Sequence, residues 1–411
     1  MKALLMGICC LTTLMAAAQE NPYDGSQPTL VNRLTEGKVD IKHVDVNFQV
    51  FTSGNANFTE NELENMDFKL NRVKLEIKGD VNDWFSYHYR QSFNKYADPY
   101  SLDNLSSSVE LAYVNLRVSP KFVITTGKHA MAMGGYEYYV NPIKVREFSE
   151  FNNQLSCYQA GIMGTWAITP YQELCFQIMN NRSGSIEETF VGGLPEDVEA
   201  AKVPFFYSLN WNSLYFDKVL QLRYALSMAE QAKGYRSFYA TCGNVIEKGP
   251  VITYLDLMYT RQELDQHGII SHLVETERGA CNTEYFSAIA DFDYRFHDHW
   301  NAYVKGTYEI GRVYKANGAY NEGVYRRSWN AQACVEYFPM KNSELLIFLL
   351  YSYRGVILEQ NALRLGATER TKVVSRWGSS IRFLCSEIAT VFLKNVFYLC
   401  LIKKRNKLFY A

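Results

Sequence analysis

The chain reads as an all-β protein, a transmembrane antiparallel β-barrel of about sixteen strands with short periplasmic turns and long extracellular loops. Three observations predict it. Apolar and polar residues alternate one by one over many segments of about ten residues. The connections between those segments alternate short and long, so a meander built from them has two unlike ends. Third, the chain opens on a secretory leader and is rich in aromatics, with 30 Tyr and 24 Phe against 10 Pro, a usage that suits strands and interfacial girdles.

The leader is "MKALLMGICCLTTLMAAAQE". Lys2 is its basic end, Ala3 to Met15 its apolar stretch, and Ala16-Ala17-Ala18 its small-residue cleavage site. Residues 1–18 are therefore expected to be a cleaved signal peptide. Neither Cys9 nor Cys10 suits a lipid anchor, because Ile8 precedes Cys9 and the apolar run continues past both. Residues 19–41 are polar and expected to form a periplasmic arm. From 42 the period becomes two. In "VDVNFQVF", Val44, Val46, Phe48 and Val50 share one face. In "RVKLEIKG", Val73, Leu75 and Ile77 oppose Arg72, Lys74 and Glu76. The same reading places strands near 44–51, 68–78, 84–93, 108–117, 122–129, 157–166, 171–180, 203–212, 217–228, 235–244, 250–260, 284–296, 300–310, 326–338, 344–354 and 378–391.

Short connections are "DVND", "SPK", "AITP", "NSLY", "VIEKG", "HDH" and "PMKNS". Long ones span 52–67, 94–107, 130–156, 181–202, 261–283, 311–325 and 355–377, with 229–234 short where a long one is due. A soluble sandwich alternates too but needs no such asymmetry, and no propeller-like repeat is present. No apolar run between Gln19 and Thr390 is long enough for a membrane-spanning helix. A closed barrel crosses without one.

The stretch "LAYVNLRVSPKFVITTGKHAMAMGGYEYYVNP" carries an Ala-Tyr-Val strand, a tight Ser119-Pro120 turn, a strand ending Gly127-Lys128, and a loop opening on Gly134-Gly135. With the preceding hairpin "FKLNRVKLEIKGDVNDWFSYHYRQSF", it resembles the phosphate-selective porin O and P family, most sharply over residues 68–140. The resemblance implies a sixteen-stranded, homotrimeric porin with a loop folded into its lumen. That loop would be 130–156, the third long one. Gly134 and Gly135 would let its backbone approach the wall, and Tyr136, Tyr138 and Tyr139 would pack there. Lys144, Arg146 and Glu147 would set the local charge.

A channel works by pore radius and lumen charge. Taking the polar parity as inward, the lumen is expected to carry Arg72, Lys74, Glu76, His88, Arg90, Arg223, Asp291, Asp293, Arg295, Lys305 and Glu309. The resemblance implies an anion ladder, of which Arg72, Lys74 and Arg90 would form part; the residues by themselves read equally as a solvated polar lumen of mixed charge. The acidic neighbours argue against strong phosphate selectivity. Formal net charge is −1, with 42 basic and 43 acidic residues, which excludes a broadly basic nucleic-acid binder. With Cys9 and Cys10 in the leader, the other cysteines (Cys157, Cys175, Cys242, Cys281, Cys334, Cys385 and Cys400) are widely spaced without a CxxC, so neither zinc nor a disulfide framework is signalled. "HDH" at 297–299 sits in a tight turn with no third ligand nearby. No P-loop, GxSxG or HExxH occurs.

After Phe392 the alternation stops and Lys394, Lys403, Lys404, Arg405 and Lys407 crowd in. Residues 393–411 are an atypical tail, with two readings: a read-through or frameshifted extension past a natural end near Phe392, or a membrane-proximal tail. The function expected is passive diffusion of small hydrophilic, anionic or neutral solutes across the bacterial outer membrane, with an anion or phosphate preference. Outer-membrane lipid surrounds the barrel, and no cofactor, metal or catalysis is expected. The rivals are a secreted soluble β protein that binds glycans and an outer-membrane enzyme or adhesin on a barrel.

Overall fold

The computed structural model describes residues 43–384 apart from 61, 95–106, 141–143, 156, 275, 341–344 and 369–371. The expected signal peptide, the arm, the tail and residues 385–391 of the last expected strand lie outside the described residues, as do Cys385 and Cys400.

Among the described residues are sixteen strands: β1 (His43–Thr59), β2 (Glu62–Asp80), β3 (Phe85–Ser92), β4 (Val109–Ser119), β5 (Phe122–Ala130), β6 (Tyr158–Thr169), β7 (Gln172–Asn180), β8 (Phe205–Tyr215), β9 (Leu220–Ala232), β10 (Tyr235–Lys248), β11 (Val251–Leu264), β12 (Cys281–His297), β13 (Trp300–Val313), β14 (Gly323–Tyr337), β15 (Leu346–Leu358) and β16 (Lys372–Leu384). Each pairs antiparallel with its sequence neighbours, and β1 closes on β16 with Phe51 opposite Ser380 and Thr59 opposite Lys372. Closure satisfies backbone donors and acceptors that hydrocarbon could not.

The two faces of each strand invert the rule of soluble proteins. On β11, Asp256, Thr260 and Gln262 are buried while Leu255, Leu257 and Tyr259 are outward and exposed. On β13, Lys305, Thr307 and Glu309 face in, and Val304 and Tyr308 face out. A polar inside and an apolar outside suit a barrel whose solvent is lipid.

The inside is partly filled. Met133, Phe151, Met258, Ile289 and Tyr325 belong to one large apolar cluster. Phe51, Tyr303, Cys334, Leu346, Phe348 and Leu350 form a second. That cluster explains the doubly apolar "LLIFLLY": Leu346, Phe348 and Leu350 point inward into it, and the residues between them point outward. This strand lies over a filled part of the lumen.

Several boundaries differ from the sequence expectation. Residues 52–67 are not a long loop but the outer halves of β1 and β2, joined through a tight turn at Glu60 with φ 52°. Their small polar side chains hold the pair by cross-strand hydrogen bonds, Asn55 to Asp67 at 2.6 Å, Asn57 to Asn65 at 2.5 Å and Thr59 to Glu64 at 2.9 Å. Period-two hydrophobicity cannot reveal a hairpin stabilised this way. β15 runs on to Leu358 and β16 begins at Lys372, so the 355–377 loop is shorter and the last strand starts earlier than expected. β8 continues through "NSLY", and the turn falls on Phe216, Asp217 and Lys218, all with positive φ. The short 229–234 connection is tighter still, since only Lys233 and Gly234 separate β9 from β10, as in a two-residue hairpin.

Candidate functional site

Residues 131–157, here L3, leave β5 and return to β6. L3 turns into the barrel and is tied to walls on several sides. Its Ala132 N–H donates to Gln177 of β7 at 2.7 Å, and Ser208 of β8 donates to the Ala132 carbonyl at 2.6 Å. The Gly135 N–H donates to the Arg223 carbonyl of β9 at 3.1 Å. The Tyr136 and Glu137 N–H groups both donate to the Asp256 carboxylate of β11, at 2.7 and 2.9 Å. Such close approach needs glycine on both sides: a Cβ on Gly243 of β10 would lie 2.6 Å from the Gly135 Cα.

Further along, L3 is held by charge. The fully buried Glu137 accepts from Lys305 Nζ of β13 at 2.8 Å, from Ser149 Oγ at 2.6 Å and from Asn152 Nδ2 at 2.6 Å. Burial pushes its carboxyl up, but the Lys305 charge and these hydrogen bonds outweigh burial and hold it below the usual carboxylate value. Arg146 pairs with Glu336 of β14 at 2.8 Å, its guanidinium beside the Phe51 and Phe348 rings at 5.7 and 5.2 Å. Arg72 of β2 donates to the Val145 carbonyl, and Arg376 of β16 to that of Arg146. A short helix, α1 (Glu150–Asn153), is capped by Ser149, and its first N–H groups donate to Glu309 of β13. Buried charges persist only when paired or hydrogen-bonded, and here each serves as an anchor.

A second inward segment backs L3. Between β11 and β12, Asp265 accepts from Ser271 Oγ and Tyr285 Oη, both at 2.6 Å. Next to it the His267 ring lies 4.8 Å from the Phe151 ring of L3. Burial lowers His267 to about 3, so its imidazole is neutral.

The expected site residues divide clearly. Gly134 and Gly135 meet the β9–β10 wall. Tyr136 packs on Tyr254 with centroids 4.9 Å apart, and Tyr138 Oη donates to the Cys157 carbonyl. Tyr139 is different: 64% exposed, it lies 3.4 Å below the Arg223 guanidinium. The three residues expected to set the loop's local charge, Lys144, Arg146 and Glu147, meet different surroundings. Arg146 is buried in its ion pair, and Glu147 accepts from Asn330 at 3.3 Å with Arg354 at 3.6 Å. Lys144 is exposed. Lys74 and Arg90 do come together, but on one carboxylate: Glu110 takes Lys74 at 2.7 Å and Arg90 at 2.9 Å. Lys305 is engaged by L3, and Arg295 is exposed at the short-turn end, over Phe338 at 4.3 Å. His88 bridges Glu76 and Tyr113, each at 2.9 Å.

Sequence reasoning missed Glu110, Asp256 and Glu336. Asp256 and Glu336 sit at the inward parity of their strands, yet nothing local says that L3 is their partner. Glu110 is further hidden by a register shift on β3–β4 between Arg90 and Gln91.

L3 leaves one side of the barrel open. A cavity of about 1210 Å³ runs between L3 and the inward faces of β2 to β9. Its charged lining comprises Arg72, Lys74, Arg90, Arg117, Lys128 and Arg223 against Asp80, Glu110 and Glu173.

A closed sixteen-stranded barrel with an apolar exterior, a polar lumen and an open water-sized route is a membrane channel of the porin class. The model of the family described as phosphate-selective porin O and P matches residues 43–375, and the chain belongs to that family. It is a passive-diffusion channel of the outer membrane and not an enzyme. No curated protein matches the chain. Among solved structures, the outer membrane protein OmpT of Vibrio cholerae is similar at 10% identity and TM-score 0.53, over 83% of this chain and 97% of that one. The outer membrane channel DcaP of Acinetobacter baumannii is similar at the same identity, coverage and TM-score. OmpF of Salmonella typhi, in complex with daunomycin, is similar at 15% identity and TM-score 0.52, again over 83% and 97%. These likenesses concern the fold.

Proposed function

We propose that L3 is the constriction of this porin, that solutes pass along β2 to β9, and that the route prefers anions. The observation that carries the preference is the charge of the route, six cationic side chains against three carboxylates. Some of those cations are neutralised locally, as Lys74 and Arg90 are by Glu110, so the preference is moderate and not absolute. Arg223 supports it most directly: it lines the route, and its guanidinium lies over the exposed Tyr139 ring with no carboxylate paired to it among the described residues. We further propose a homotrimer, a reading supported by the trimer form of Vibrio cholerae OmpT, which is similar at 9% identity and TM-score 0.53 over 83% of this chain and 99% of that one.

The test is planar-bilayer conductance of the refolded protein under a potassium chloride gradient. The expected result is a reversal potential of the anion-selective sign, with steps grouped in threes. A cation-selective sign overturns the preference. A folded sample without conductance overturns the route.

A further inference from the structure

The open route has two unlike sides, and the contrast points to the kind of anion it suits. On the L3 side stand an exposed Tyr139 and half-buried Val140 and Phe148. On the wall side stand arginines, each with its guanidinium against a ring: Arg223 at 3.4 Å from Tyr139, Arg72 at 5.8 Å from Phe148, and Arg90 at 5.2 Å from Tyr158. Resting on the anion preference above, we propose that the favoured solutes are organic anions with a flat apolar body, aromatic carboxylates as a class, in preference to inorganic phosphate.

The chemistry decides between the two. A compact, strongly hydrated inorganic anion needs several convergent donors to replace its water. Most cations of the route are engaged by the protein itself: Lys74 and Arg90 share Glu110, Arg72 donates to the Val145 carbonyl, Arg117 donates to the Asp83 carbonyl, and Lys128 is buried. What the route does offer at Arg223 is a planar cation stacked on an exposed ring. A guanidinium edge matches a carboxylate in its own plane. The ring of the same solute can then continue the stack on Tyr139 and slide toward Phe148. Charge attraction in a wet pore is screened by salt, whereas ring contact is not. A flat organic anion therefore gains two interactions where phosphate or acetate gains one.

The experiment adds benzoate, acetate or inorganic phosphate, one at a time, to one side of a bilayer holding the refolded protein in molar potassium chloride, and records interruptions of the open-channel current. Benzoate is expected to dwell several-fold longer than acetate or phosphate. Tyr139→Ala is expected to bring the benzoate dwell down to that of acetate, and Tyr139→Phe to preserve it. Heat-modifiable migration checks that both variants fold. If benzoate, acetate and phosphate dwell alike while the chloride reversal potential keeps its anion-selective sign, this inference fails and the anion preference stands. A cation-selective reversal potential instead removes the reading on which the inference rests. An unchanged benzoate dwell in folded Tyr139→Ala likewise overturns the assignment.

Discussion

The inward faces of β2–β9 and of β10–β16 are built from the same alternation and end in opposite states. On β10 to β16 the inward residues are covered. Asp256, Lys305, Glu309 and Glu336 all bind L3, and Tyr303, Phe348 and Leu350 pack on one another. On β2 to β9 inward residues such as Arg72, Thr165, Asn210 and Arg223 look onto a cavity of about 1210 Å³, although Gln177 and Ser208 there also bind L3. Strand patterning alone therefore does not decide what is pore and what is core. The decision lies with a loop whose partners are far away in sequence: Arg146 and Glu336 are 190 residues apart, and Lys305 and Glu137 are 168 apart. A second lesson concerns charge. In the filled half a lumen carboxylate is a fastening, while in the open half a charge such as Arg223 remains available to a solute.

This contrast is most sharply broken by unfastening L3. Lys305→Met strands Glu137 in a buried site without its cation. It should cost about 3–5 kcal/mol, the usual penalty for breaking a buried pair. Urea unfolding in detergent would read the loss, and the conductance step should rise as L3 loosens. Somewhat smaller is the effect of Leu350→Ala, which empties part of the second apolar cluster and should cost about 2–5 kcal/mol. Since Leu350 is fully buried on the filled side, single-channel conductance should stay unchanged. Arg223→Ala should do the reverse. Its stability cost should be about 1 kcal/mol, the scale of the cation–π contact it makes with Tyr139. Reversal-potential measurements should show the anion-to-cation permeability ratio falling by roughly twofold.

The smallest expected effect is that of mild acid acting through Glu137 or His267. Glu137 is held below its usual pKa in the folded state. A depressed carboxylate contributes stability that is present above the unfolded pKa, about 4.3 for Glu, and is lost only as pH falls through the folded value. His267 is neutral throughout this range, with a pKa of about 3. Neither group should alter the L3 anchorage between pH 8 and pH 5. A conductance change attributable to Glu137, abolished by Glu137→Gln, would contradict that assignment.

The barrel was largely legible in the sequence because its two determinants are local. Period-two segments such as "VDVNFQVF" mark strands, and the length of each connection marks the end it belongs to. Local reasoning failed where side-chain hydrogen bonds replaced apolar contacts, as in the 52–67 hairpin. The site was half legible. Gly134 and Gly135 signal a close approach, and the approach occurs. The fate of Arg146 was not readable, because its charge is cancelled by a glutamate nine strands away along the meander. Arg223 and Tyr139 both drew notice as a lumen charge and a loop aromatic, but only the closed barrel stacks one on the other.

Everything above turns on solutes using the β2–β9 side of the lumen. The most direct test places single cysteines in a cysteine-free background, at Thr165 of β6 in the open route or at Ser352 of β15 in the filled half. A bulky charged thiol reagent is then added to a conducting bilayer. Modification at Thr165→Cys is predicted to lower the conductance, with Ser352→Cys left unaffected. A block at Ser352→Cys with none at Thr165→Cys would place the route on the other side of L3 and contradict the account.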